Sequence, residues 1–166
     1  MIRLTVLLVI FSSIAYGQNK KTTLPPDLIQ FFQGQWYGKG AFSNGKPIEA
    51  DVSFELTLDS SWLLYHHLDK LPNHYKATTL WGVDTHTGQF VAYTFDNFHG
   101  HRQFTTDGWS QGRLQSTTRE YYAEAGWLFQ QFTYEKTSDT SFKMTYEVSK
   151  DAHTWKVGDY LVFTKK

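Results

Sequence analysis

The chain contains no cysteine. That excludes disulfides, a cysteine nucleophile and the lipid-bearing cysteine of an anchored lipoprotein. An excess of one charge is also missing: 16 Lys and Arg balance 16 Asp and Glu. A neutral chain gives no electrostatic reason to expect nucleic acid or an anionic membrane as partner. There is no Gly-x-Ser-x-Gly elbow for acyl transfer, no Gly-x-Gly-x-x-Gly opening a helix and no phosphate loop. No carboxylate spacing selects a glycosidase pair. Beyond residue 14 no run is apolar enough to span a bilayer. What the chain does have is aromatic bulk, 17% of its residues. Without disulfides, stability must come from the core, and each large ring can bury on the order of 150–250 Å².

The first residues have the order of an export signal: Arg3, an apolar stretch over residues 4–14, then Ala15-Tyr16-Gly17 with small residues at the −3 and −1 positions of a cleavage site. The expectation is a signal peptide over 1–17, a flexible leader over 18–24 and a single domain over 25–166, exported to the periplasm or beyond. Pro25-Pro26-Asp27 can start a helix, and Leu28, Phe31 and Phe32 share one helical face. This short segment is expected to plug one end of the domain.

After Gly34 the period becomes two. Val52, Phe54, Leu56 and Leu58 fall on one face; so do Tyr75, Ala77, Thr79, Trp81 and Val83; so do Phe142, Met144, Tyr146 and Val148. Such alternation describes half-buried antiparallel strands. Turn signals recur at Ser43-Asn44-Gly45, Asp59-Ser60, Leu71-Pro72-Asn73, 84–88, 97–100, Gln111-Gly112, Ala125-Gly126, Ser138-Asp139 and Asp151-Ala152. None of the intervals holds a crossover helix. The prediction is an all-β fold: about ten antiparallel strands in up-and-down order, closed into a barrel by pairing of the first strand with the last, with a short N-terminal helix. An open two-sheet sandwich is the alternative.

The segment Gly34-Gln35-Trp36-Tyr37-Gly38-Lys39-Gly40 resembles the Gly-x-Trp-x-Gly-x-Gly start of nitrobindin-like barrels in the calycin group, which also holds lipocalins and fatty-acid-binding proteins. Ser61-Trp62-Leu63-Leu64, Leu80-Trp81-Gly82-Val83-Asp84 with Gly88, and Asp96 followed by Gly100 look closer to an uncharacterised bacterial family of secreted calycin-like proteins. The resemblance runs from Gly34 to the C-terminus and implies a pocket protein in which Gly34, Trp36, Gly38 and Gly40 are structural. Nitrobindin-like proteins hold haem iron with a His near the C-terminus. The segment 155–164 has none, and His153 lies in a turn, so no haem and no other cofactor is expected. Fatty-acid-binding proteins use an Arg and a Tyr on their final strands; here Tyr160 stands without an Arg.

His66 and His67 are adjacent in a strand and so point to opposite faces. Trp62, Leu64, His66 and Leu68 form the more apolar set, which places His66 inside. His99-Gly100-His101, with Asp96 nearby, has a spacing that suits Zn or Cu, but Gly100 marks a turn, and a solvated loop is the plainer reading; no metal site is assigned. The expected pocket wall is His66, Phe54, Leu64, Thr79, Trp81, Tyr146 and Arg119, together with Leu56 and Ala77. The function expected is a secreted barrel that binds a small apolar or aromatic molecule. Two alternatives stay open: an isomerase, cyclase or lyase with a His/acid pair in the cavity, and an envelope interaction protein whose barrel is filled by its own side chains.

Overall fold

The structure, a computed structural model, describes residues 23–166. The expected signal peptide and most of the leader lie outside the described residues. Leu24, assigned to the leader, is buried in the core.

Among the described residues one helix, α1 (Pro26–Phe32), precedes ten strands: β1 (Gly34–Phe42), β2 (Pro47–Thr57), β3 (Trp62–Asp69), β4 (Lys76–Val83), β5 (Phe90–Asp96), β6 (His101–Thr106), β7 (Arg113–Tyr122), β8 (Gly126–Ser138), β9 (Ser141–Ser149) and β10 (Lys156–Lys165). Each strand pairs antiparallel with its sequence neighbour, and β1 pairs with β10 to close the barrel. Trp36 thus lies between Val52 of β2 and Lys165 of β10. Closure gives every strand a neighbour on both sides, although β6 and β7 share only two residue pairs, Thr105 with Thr117 and Thr106 with Ser116. The turns fall where the sequence signals put them. Three are held by an aspartate side chain that accepts from the main chain ahead of it: Asp84 from the N–H groups of His86 and Thr87, Asp96 from those of Phe98 and Gly100, and Asp151 from those of His153 and Thr154. Leu58 departs from its expected strand face. It sits in a turn with φ 50° and is exposed.

Seven residues of helix are too few to be stable alone, so α1 is held by what it packs on. Leu28, Phe31 and Phe32 are its buried face. Phe32 meets Phe54, Trp81, Trp109 and Phe142 at ring separations of 5.0–5.4 Å. Trp109 stacks on Phe31, and its indole N–H donates to Asp27. Trp36 is fully buried beneath the helix, and its Nε1 donates to the Phe32 carbonyl at 2.7 Å. The two glycines that matter most do different jobs. Gly34 turns the chain from helix into strand at φ +124°, a region closed to L side chains. At Gly40 a Cβ would lie 1.7 Å from the Tyr160 carbonyl oxygen, so only glycine lets β10 approach there.

The helix therefore fills one end of the barrel with aromatic rings. Because β1 runs away from α1, the turns 43–46, 70–75, 97–100, 123–125 and 150–155 gather at the opposite end.

Candidate functional site: a cavity at the open end

A cavity of about 480 Å³ occupies the half of the barrel that α1 leaves empty. Its floor is apolar, with Trp81, Ala92, Phe104, Met144 and Leu161 among the side chains that reach it. Towards the mouth the wall becomes aromatic and polar. Tyr75 stands there with Phe98 stacked beside it at 6.1 Å, and Phe98 is largely exposed.

Two polar groupings line this upper half. The first comes from alternate residues of β3. His67 Nε2 lies 2.8 Å from Asp69 Oδ1, and His67 Nδ1 lies 2.9 Å from the Tyr65 hydroxyl. Both side chains of the His67–Asp69 pair are only 5% exposed. With neutral His67, Nε2–H donates to the carboxylate, and Nδ1 accepts from the phenol. The second is centred on Arg102 of β6. Its guanidinium pairs with Asp96, donates to Gln130 Oε1 at 3.0 Å and reaches the Tyr75 hydroxyl at 3.4 Å. Gln130 also accepts from Tyr146 and donates to the Tyr122 hydroxyl, both at 2.9 Å. Deeper in the cavity the Thr79 and Thr94 hydroxyls bond each other.

Asp159 of β10 completes the wall. It faces inward, as do Leu161 and Phe163 on the same strand parity, just past an irregularity in the pairing of β10 with β9. Burial pushes its carboxyl up to about 6; nearby His67 opposes that rise and Asp69 adds to it. Burial also raises the Tyr65, Tyr75 and Tyr134 phenols, and takes Tyr146 to about 12. These phenols stay protonated at neutral pH and serve as hydrogen-bonding groups.

The structure brings Thr79, Trp81, Tyr146 and Ala77 to the cavity wall. Phe54 faces inward but belongs to the packed half under α1, stacked on Tyr65 and tilted against Phe32. Leu56 is only partly buried against that core. Three residues are corrected. His66 and Leu64 lie on the outer face of β3, where His66 Nδ1 meets Thr78 Oγ1 at 3.1 Å. Arg119 is on the outer face of β7, exposed, with its guanidinium 4.0 Å from the centroid of the Trp127 ring.

The cause of the β3 reversal is specific. Ranking faces by apolarity assumes an apolar interior, but near the mouth the interior is polar, and Tyr65, His67 and Asp69 satisfy one another there. The outer set is apolar because Trp62 lies flat on the strand beside it: a Cβ at Gly82 would come within 2.3 Å of the Trp62 ring. Asp159 and Arg102 also line the cavity, and neither was singled out from the sequence. The usable signal was a Tyr-x-His-x-Asp alternation on β3, which a two-residue period puts on one face.

Among the described residues no group of three or more His, Asp or Glu is placed to hold a metal ion. His99 and His101 sit at the mouth, His99 in a turn with φ 63°. The carboxylate of Asp96 is taken by Arg102 and by the N–H groups of Phe98 and Gly100. Among the described residues no helix is long and apolar enough to cross a membrane.

No protein-family model matches this chain, and no curated protein matches it. Among solved structures, a redesigned β-barrel aligns with 82% of this chain and 92% of its own length, at 12% identity and a TM-score of 0.38.

Proposed function

We propose that this protein binds a small, largely apolar or aromatic molecule in the open-end cavity, as a calycin-like pocket protein working outside the cytoplasm. The observation that carries the reading is the division of the barrel into two halves. One end is plugged by α1 and packed with rings; the other keeps about 480 Å³ free, with an apolar floor and a few converging polar groups. That volume and that balance suit a drug-sized or smaller ligand. The neutral chain has no long-range field to gather charged molecules, so selection rests on shape and on the hydrogen bonds at the mouth. The Gly34–Gly40 motif and the order of the first-half sequence patterns support the calycin comparison, and residues 1–17 support export.

The test is titration with the neutral, environment-sensitive dye phenylnaphthylamine. One saturable site is expected. Ala92→Phe, which puts a ring into the cavity, should remove it while leaving the fold intact by circular dichroism. Dye binding that is absent, or indifferent to Ala92→Phe, contradicts the reading.

A second reading has one observation in its favour. The Asp69–His67–Tyr65 line is an acid–base relay beside a cavity, which suits an enzyme that moves a proton on its ligand. Both ring nitrogens of His67 are already engaged by Asp69 and Tyr65, so the binding reading is preferred.

A further inference from the structure

Resting on the pocket reading above, we infer that the cavity is built for a protonated amine carried on an apolar, ring-sized body, with Asp159 as its counter-ion. Three carboxylates reach the interior of the open half: Asp69, Asp96 and Asp159. The first two are matched. Asp69 is held by His67, and Asp96 by Arg102 and two backbone N–H groups. Asp159 has no hydrogen bond or ion pair with any described side chain, although it lies in the wall of the cavity. Leaving a carboxylate unpaired in an apolar setting is costly, and a cationic ligand removes that cost.

The surroundings favour a cation in two further ways. Asp159 lines the same cavity as Tyr65, Tyr75, Tyr134 and Tyr146, and it is the register partner of Tyr146. Three of these hydroxyls are turned to other partners: Tyr65 to His67, Tyr75 to Arg102 and Tyr146 to Gln130. Those rings share the cavity wall with Asp159, so an ammonium paired with its carboxylate can also meet ring faces. The balance of charge also runs the right way. Whether His67 is neutral or protonated, the interior carboxylates outnumber Arg102 and His67 by at least one.

An anionic ligand meets the opposite situation. Three of the five N–H groups of the Arg102 guanidinium are taken by Asp96, Gln130 and Tyr75, and a fourth, on Nε, has no partner and is closed off from solvent. Lys46 and His74 are the remaining basic groups on the wall. They stand exposed at the mouth, and neither forms an ion pair with Asp159.

The test uses three probes with one body: naphthylmethylamine, naphthylmethanol and methylnaphthalene, titrated by calorimetry at about pH 7.5, where the aliphatic amine is protonated. The amine should bind wild-type protein about tenfold or more tightly than the alcohol. In Asp159→Asn that advantage should vanish, while the alcohol keeps its affinity. If the alcohol saturates one site and the amine is no tighter, or if the advantage survives Asp159→Asn, the amine inference is wrong and the pocket reading stands. If none of the three saturates in wild type, the pocket reading itself fails, and the inference with it.

Discussion

Replacing Asp159 by Asn should make the ligand-free protein more stable at neutral pH and leave it unchanged in acid. The carboxyl is pushed from 3.8 up to about 6, chiefly by burial in the cavity wall. Between those values the folded protein holds a proton that the unfolded chain has released. The folded state therefore binds more protons, and stability falls as pH rises through the window. That rise from 3.8 to about 6 corresponds to roughly 3 kcal/mol. Some solvent reaches the group through the mouth, so about 1.5–3 kcal/mol is the expected gain on substitution. Below about pH 4 the aspartic acid and the amide are both neutral, and the difference between the two proteins should shrink to a few tenths of a kcal/mol. The assay is urea unfolding of both proteins in parallel, from about pH 3.5 to about pH 7.5, with the slopes checked for equality. Carboxylates held low by surface partners, such as Asp51, shift both curves together and cancel in the difference. A difference that stays flat across this range would show that Asp159 is well solvated, and the argument that it needs a ligand partner would fall. An Asn variant less stable at every pH would mean that the carboxylate has a protein partner.

Trp36→Ala should cost about 3–5 kcal/mol, as expected for removing a packed ring; the indole is fully buried and also loses its bond to Phe32. A loss under about 1 kcal/mol in urea unfolding would show that α1 does not depend on it. His67→Ala should cost about 1–3 kcal/mol, because it leaves Asp69 buried without its partner. His66→Ala, on the outer face, should stay within about 0.5–1 kcal/mol. The reverse order would place the wrong histidine inside. If residues 1–17 are an export signal, N-terminal analysis of native protein should read from Gln18 or its cyclised form, and intact Met1 would contradict export.

The fold was more legible than the site, for a physical reason that particular strands make plain. Pairing and closure depend on where the turns fall and on a two-residue period. Asp84 to Gly88, Asp151-Ala152 and the other turn signals carry that information in residue types with local mechanisms. The plug was readable too, since Leu28, Phe31 and Phe32 keep a helical spacing just before Gly34. On β4 and β9 the parity was also plain, because their inward residues are the apolar ones: Trp81 and Val83 on one, Phe142 and Met144 on the other. On β3 and β7 the same logic misleads. A cavity wall near solvent selects polar groups, and an outer face covered by a ring such as Trp62 selects apolar ones. Arg119 shows a further difficulty. Gln115, Thr117 and Arg119 alternate with Ser116, Thr118 and Glu120, and neither set is apolar, so the alternation alone does not say which side is in. Asp159 and Arg102 gave no local signal at all. Their roles come from where distant strands bring them, and a single sequence does not encode that in its spacing.

If the half of the barrel away from α1 is a binding cavity, amide chemical-shift mapping with naphthylmethanol should show it residue by residue. Saturable shifts should cluster at residues 65–69, 73–79 and 158–161, with the segment 34–37 and the turn at 139–140 undisturbed. Shifts scattered over the outer face around His66 and Arg119, shifts concentrated at the helix end, or a titration that never saturates would contradict it.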